Sequence, residues 1–128
     1  MRLLLDTHTI LWSVDSPPRL SDKARAAIQD PQNELICSAG SIWELAIKVR
    51  LNKLTLSLPF RQWMVSAIDD LDLTVLPITV DDADLLTTLP PHHGDPFDRL
   101  LIAQAMVERI PVVSADRGFD AYPISRLW

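Results

Sequence analysis

The segment Met1-Arg2-Leu3-Leu4-Leu5-Asp6 constrains this chain more than any other stretch. Three consecutive leucines leave no polar face, so a strand built from them must be covered on both sides. The run then stops at a carboxylate. In a parallel sheet sheathed by helices, ligands are held at the carboxyl ends of the strands. A charge on the last residue of a buried strand is costly unless something positive meets it. Asp6 therefore reads as one wall of a metal site whose other walls come from far along the chain. The plainer alternative is a cap for the next helix, for which Thr7 is equally suited.

With 128 residues, 48% of them hydrophobic, the chain is expected to form one domain over 1–128 with a real core. The net charge is −5. An acidic chain has no general attraction to nucleic acid, so any such binding must be local or metal-assisted. The lone Cys37 excludes an internal disulfide and suits a reducing cytoplasm; it reads as a small buried side chain. No stretch reaches the apolar length of a membrane-spanning helix. Arg2 and the leucines imitate the start of a signal peptide, but Asp6 and His8 break the run too early. A cytoplasmic protein with no membrane partner is expected.

Helical patterns over 7–15, from Ser21 to Ile28, 39–50, from Pro59, 79–89 and 96–108 alternate with strand candidates at 34–38, 73–78, 110–114 and 123–127. Residues 116–121 read as a short turn or helix, and Pro90-Pro91-His92-His93-Gly94 as a stiff connector. Strands alternating with helices imply a parallel sheet with helices on both faces, so the fold class is α/β.

Four acids stand out, one in each of four elements. Glu44 lies in a helix whose other positions are mostly apolar, sharing a narrow polar strip with Ser41 and Lys48; an ordinary ion pair to Lys48 is the alternative. Asp95-Pro96-Phe97-Asp98 resembles a capping box, which explains Asp95 well. It explains Asp98 poorly, because on the helical wheel Asp98 falls between Ile102 and Ala105, inside an apolar sector. Asp116 follows the strand ending at Ser114 just as Asp6 ends its own, although an Asp before Arg117-Gly118 also suits a turn. Asp120 could assist or be solvated. Carboxylates gathered from separate elements suit Mg²⁺ or Mn²⁺, which take oxygen ligands, and such ions would relieve the mutual repulsion of the acids.

What is missing narrows the choice. Three glycines supply neither a dinucleotide fingerprint nor a phosphate-cradling loop. Zinc's soft ligands are absent, and the adjacent His92 and His93 read as surface-loop residues. His8 could touch the site or simply start a helix.

The stretches LLLDTHTILW (3–12), SIWELAIKVRLNKL (41–54), LPPHHGDPFDRLLIAQA (89–105) and VVSADRGFDAY (112–122) together resemble PIN-domain ribonucleases, specifically VapC-type toxins of type II toxin–antitoxin pairs. The resemblance implies a three-layer sandwich around a central parallel sheet of four to five strands. It implies that Asp6, Glu44, Asp98 and Asp116 are the acidic quartet binding Mg²⁺ or Mn²⁺, with Ser114 in support; Thr7 beside Asp6 and Asp120 near Asp116 are supporting candidates by their position in the sequence. It also implies a homodimer and a cognate antitoxin that blocks the site.

The expected activity is metal-dependent hydrolysis of RNA phosphodiester bonds. Arg99 and Arg117, each next to a proposed ligand, could contact substrate phosphates. Lys48, with Arg50 and Lys53, could bind the RNA backbone or be a solvated helix end. Four Trp exceed what one small core requires, so some are expected to line a groove or dimer seam. Two rival readings are a phosphoacceptor signalling domain and a non-catalytic binding module. The first would want adjacent acids after the opening strand, where this chain offers Asp-Thr-His. The second is separated by Mn²⁺ titration, since caps and ion pairs do not bind divalent metal.

Overall fold

The computed structural model describes residues Met1 to Trp128. Strand β1 (Arg2–Leu5) pairs in parallel with β2 (Glu34–Ser38) on one side and β4 (Val112–Val113) on the other. Strand β3 (Thr74–Leu76) joins the outer edge of β2, and β5 (Arg126–Leu127) that of β4. The sheet is parallel throughout, in the order β3-β2-β1-β4-β5. Six helices connect the strands: α1 (Thr7–Asp15), α2 (Asp22–Gln29), α3 (Ala39–Arg50), α4 (Phe60–Asp70), α5 (Val80–Leu86) and α6 (Pro96–Glu108).

The period-two geometry of a strand divides the core into two layers. Leu3, Leu5, Leu35, Cys37 and Val113 point to one face, packing with Ala24 of α2, Leu45 of α3 and Trp63, Met64 and Ala67 of α4. Leu4, Ile36 and Val112 point to the other, against Leu101, Ile102 and Ala105 of α6, with Phe119 and Tyr122. This is why three leucines in a row are tolerated: both faces of β1 are covered. The three-layer α/β sandwich matches the expectation from the sequence.

Element ends follow local chemistry. Ser21 accepts a capping bond from the Ala24 amide. Thr79 and Asp82 complete a reciprocal capping box at the start of α5, which ends earlier than the apolar pattern suggested, at Leu86. Helix α6 stops where Arg109 adopts a left-handed conformation. No helix is long and apolar enough to cross a membrane.

The strand order carries the functional consequence. From β1 the chain winds outward to β2 and β3, then returns to place β4 on the opposite side of β1. Between β1 and β4 the winding reverses, and the carboxyl ends of these two strands flank a topological switch point, where sheets of this kind bind ligands. Asp6 follows the first strand, and Ser114 and Asp116 follow the second.

Candidate metal centre

Asp6 occupies the cap position before α1, yet its side chain makes no capping bond. Its Oδ2 accepts from Ser114 Oγ at 2.7 Å, while Oδ1 is buried with no partner in the protein. Burial raises its pKa, against the opposing effect of the Ser114 hydrogen bond. Ser114 is wholly buried and does two jobs, since its Oγ also accepts from the Asp116 amide at 3.0 Å. One hydroxyl thus ties together the ends of β1 and β4.

Asp98 settles the ambiguity of its own motif. Asp95 caps α6 as expected, accepting from the amides of Phe97 (2.8 Å) and Asp98 (3.1 Å). A full capping box would return the Asp98 carboxylate to the Asp95 amide. Here that amide instead donates to His93 Nδ1 at 3.2 Å. The Asp98 carboxylate is released from capping and faces the cavity beside Asp6. Its pKa is pushed up to about 7, first by burial and then by the charges of Asp6 and Asp95.

Asp116 caps the short 3-10 turn 117–121 by accepting from the Gly118 amide at 2.8 Å, so the turn-forming reading holds. Its other oxygen lies 3.1 Å from His93 Nε2. Partial burial opposes its charge, but the Gly118 and His93 hydrogen bonds outweigh that and lower its pKa.

Asp6, Asp98 and Asp116 line one cavity of about 340 Å³ with His8, Trp12 and Ala115. Glu44 is brought close but sits behind this cavity, only 3% exposed. Its Oε1 accepts from Thr7 Oγ1 at 2.6 Å and its Oε2 from Lys48 Nζ at 2.7 Å. The ion pair expected as the alternative reading is therefore real, but one partner is buried. Burial disfavours the charge on Lys48, yet the bond to Glu44 leaves its pKa raised. Thr7 also lies 2.9 Å from Ser41 Oγ, which places it at the junction of α1 and α3.

Three expectations need correction. His93 is no bystander of a surface loop: its ring nitrogen stands between Asp98 Oδ2 (3.2 Å) and Asp116 Oδ2 (3.1 Å), and only His92 is exposed. Sequence reasoning missed it because the contact depends on how the connector folds back. Its nearest signal was position, two residues before the Asp95 cap. Asp120 is held by Arg126 through two hydrogen bonds of 2.9 and 3.0 Å, which explains its lowered pKa; it is not among the cavity residues. Arg99 donates to the carbonyls of Leu89 (2.9 Å), Pro90 (3.0 Å) and His93 (3.3 Å), so its guanidinium clasps the connector rather than waiting for phosphate. Arg117 is exposed beside the cavity's Asp116.

Arg99→Lys should destabilise the protein by about 1–2 kcal/mol, since one ammonium cannot satisfy three carbonyls in the guanidinium's planar geometry. Chemical denaturation checks this. Unchanged stability with a raised KM for RNA would return Arg99 to the substrate.

An all-parallel sheet with acids collected at its switch point defines a class of α/β protein, and its family can be stated. The chain belongs to the PIN-domain family, which it matches over residues 3–124. It is 33% identical over 121 residues to Ribonuclease VapC22 of Mycobacterium tuberculosis, a match covering 94% of this chain and 91% of the relative. Among solved structures, its fold is similar to a chain of VapBC2 from Rickettsia felis bound to a promoter DNA fragment. That match has a TM-score of 0.74 and 16% identity, covering 98% of this chain and 97% of the other. A chain of DNA-bound VapBC from Salmonella typhimurium gives a TM-score of 0.73 at 17% identity, covering 98% and 96%. At such identities the likeness concerns the fold.

Proposed function

We propose that this chain is a divalent-metal-dependent endoribonuclease, a VapC-type toxin held in check by a cognate antitoxin. Asp6 carries this reading: a strand-end carboxylate facing a shared acidic cavity, with one oxygen buried and unpartnered. Such an atom costs free energy until a cation or donor meets it. The three cavity carboxylates form an all-oxygen donor set, which suits Mg²⁺ or Mn²⁺ better than zinc.

Asp6, Asp98 and Asp116 would hold the ion, with Glu44 as a fixed negative charge behind them. A bound divalent ion of this kind makes water a nucleophile near neutral pH and steadies the charge of a phosphodiester under in-line attack. The protein's own groups prepare that chemistry. The Ser114 hydroxyl fixes Asp6 by donating to its carboxylate and, by accepting from the Asp116 amide, fixes the turn that carries Asp116. Burial and the charges of Asp6 and Asp95 push the Asp98 pKa up to about 7, so an ion held there would displace a proton near neutral pH. Thr7 and Lys48 each hydrogen-bond Glu44 and so orient its carboxylate behind the residues that would hold the ion.

RNA as substrate accords with the ribonuclease among the relatives. With a net charge of −5, attraction to RNA must come from local groups. Arg117 beside the cavity and Arg50 and Lys53 at the end of α3 are exposed and suited to backbone phosphates. An antitoxin partner accords with the toxin–antitoxin complexes among the structures of similar fold. The 63% exposure of Trp43 supports a protein contact there, with the antitoxin or in a homodimer. A cytoplasmic location accords with RNA as the substrate.

The test is purified protein with mixed cellular RNA in Mg²⁺ or in EDTA. Products should carry 5′-phosphate ends, and EDTA should stop their formation. Cyclic 2′,3′-phosphate ends appearing in EDTA would instead mean acid–base chemistry, with His92 or His93 as agents, and would overturn the metal reading.

A further inference from the structure

His93, Asp98 and Asp116 bring one ligand-type atom each to within 4.8 Å of one another, which on distances alone suggests a site of two carboxylates and one imidazole. The hydrogen bond on the far side of the ring contradicts that. The Asp95 amide donates to His93 Nδ1 at 3.2 Å, so Nδ1 acts as acceptor and carries no proton. A neutral ring then has its hydrogen on Nε2, the atom facing the two carboxylates. Coordination of an ion through Nε2 would move that hydrogen to Nδ1, against the Asp95 N–H, leaving two donors facing each other.

We infer that His93 is a positioning residue and not a ligand: its Nε2–H, aimed by the Asp95 amide, holds the Asp116 carboxylate against Asp98 in the geometry an ion requires. This rests on the metal site proposed above. Nε2 donates to Asp116 Oδ2 at 3.1 Å, with Asp98 Oδ2 at 3.2 Å from the same nitrogen. The two carboxylates belong to elements that share no strand, the start of α6 and the turn after β4, so a ring hydrogen-bonded to one and standing 3.2 Å from the other sets their separation. The ring's own backbone is held on several sides. The His93 amide donates to Tyr122 Oη at 2.9 Å, and Tyr122 donates onward to the Pro90 carbonyl at 2.7 Å. Arg99 holds the His93 carbonyl, and the ring lies against Phe119. Gly118 is needed for the approach, because a Cβ there would stand 2.9 Å from His93 Cδ2 and 3.0 Å from Asp116 Oδ1. Outer partners of this kind, donating to ligating groups, typically contribute 10- to 100-fold in metal affinity.

The test titrates Mn²⁺ alone into wild type, His93→Gln and His93→Ala, with melts in EDTA to monitor the fold. Pulsed electron paramagnetic resonance of the Mn²⁺ complex then reports any coordinated nitrogen. The expected result is no directly coordinated nitrogen in wild type. Affinity should fall roughly 10- to 100-fold in His93→Ala. It should largely return in His93→Gln, whose side-chain amide restores a donor near the Nε2 position. A coordinated-nitrogen coupling in wild type that disappears in His93→Ala would make His93 a ligand and overturn the inference. So would wild-type affinity in His93→Ala. If the alanine variant does not fold, the wild-type spectrum and the glutamine variant still decide: coordinated nitrogen, or affinity lost with Gln, overturns it. Failure of wild type to bind Mn²⁺ at all removes the metal reading itself, a result distinct from either.

Discussion

Asp6→Asn should abolish RNA cleavage while leaving the metal-free protein as stable as wild type or more so. The two effects have opposite signs because one carboxylate has opposite consequences in the two states. Without an ion, Asp6 is buried, its pKa is raised, and one oxygen is unpartnered. Asparagine removes the buried charge and can still accept from Ser114 Oγ. With an ion, the same charge is a ligand. Losing several kcal/mol of transition-state stabilisation from a displaced ion corresponds to a rate decrease on the order of 10³-fold or more. Single-turnover cleavage in Mn²⁺ and a melt in EDTA give both signs. A variant that cuts normally, or one destabilised in EDTA by several kcal/mol, would show that Asp6 is structural.

The second large effect is the response of stability to Mn²⁺ and its dependence on Asp98. Wild type should gain about 2.7 kcal/mol at a hundredfold excess of Mn²⁺ over its dissociation constant. Asp98→Asn should gain much less and should not cut RNA. In EDTA the pH dependence separates the two proteins further. The Asp98 pKa rises from 3.8 to about 7 on folding. For a raised pKa the associated stability is fully present below the unfolded value of 3.8 and is lost as pH rises through about 7. At ~1.4 kcal/mol per pH unit the full loss is at most ~4 kcal/mol, which solvent access reduces to ~1–2 kcal/mol. Metal-free wild type should therefore weaken between pH 4 and 7 on this account, and Asp98→Asn should lack that part of the slope. A residue that merely supported the helix start would behave differently: its loss would cost ~0.5–1 kcal/mol whether or not Mn²⁺ were present. Equal Mn²⁺-induced shifts in wild type and Asp98→Asn would remove Asp98 from the site.

Much of this was legible along the chain, because much of it is governed by short-range chemistry. Leu3-Leu4-Leu5 required a strand covered on both faces, and both faces are covered. Asp95-Pro96 required a helix start, and α6 begins there. Helix α3 occupies the span its apolar periodicity marked. The strand-then-acid pattern at Asp6 and Asp116 was visible twice, and the parallel sheet places both acids at its switch point.

Other features depend on contacts between residues far apart in sequence, which no local pattern encodes. Whether Asp98 closed a capping box turned on one amide, that of Asp95, choosing His93 over Asp98. Arg99 looked like a phosphate ligand because it follows an acid, but the folded connector offered it three carbonyls. Asp120 looked like a fifth acid until β5 brought Arg126 to it. The sequence by itself determined the order of strands and helices and which acids follow them, though not where α5 and the three later strands end, since periodicity and capping act within a few residues. Only the tertiary structure decided which of those charges remained unpaired, because pairing is settled by whatever the folded chain brings within about 3 Å.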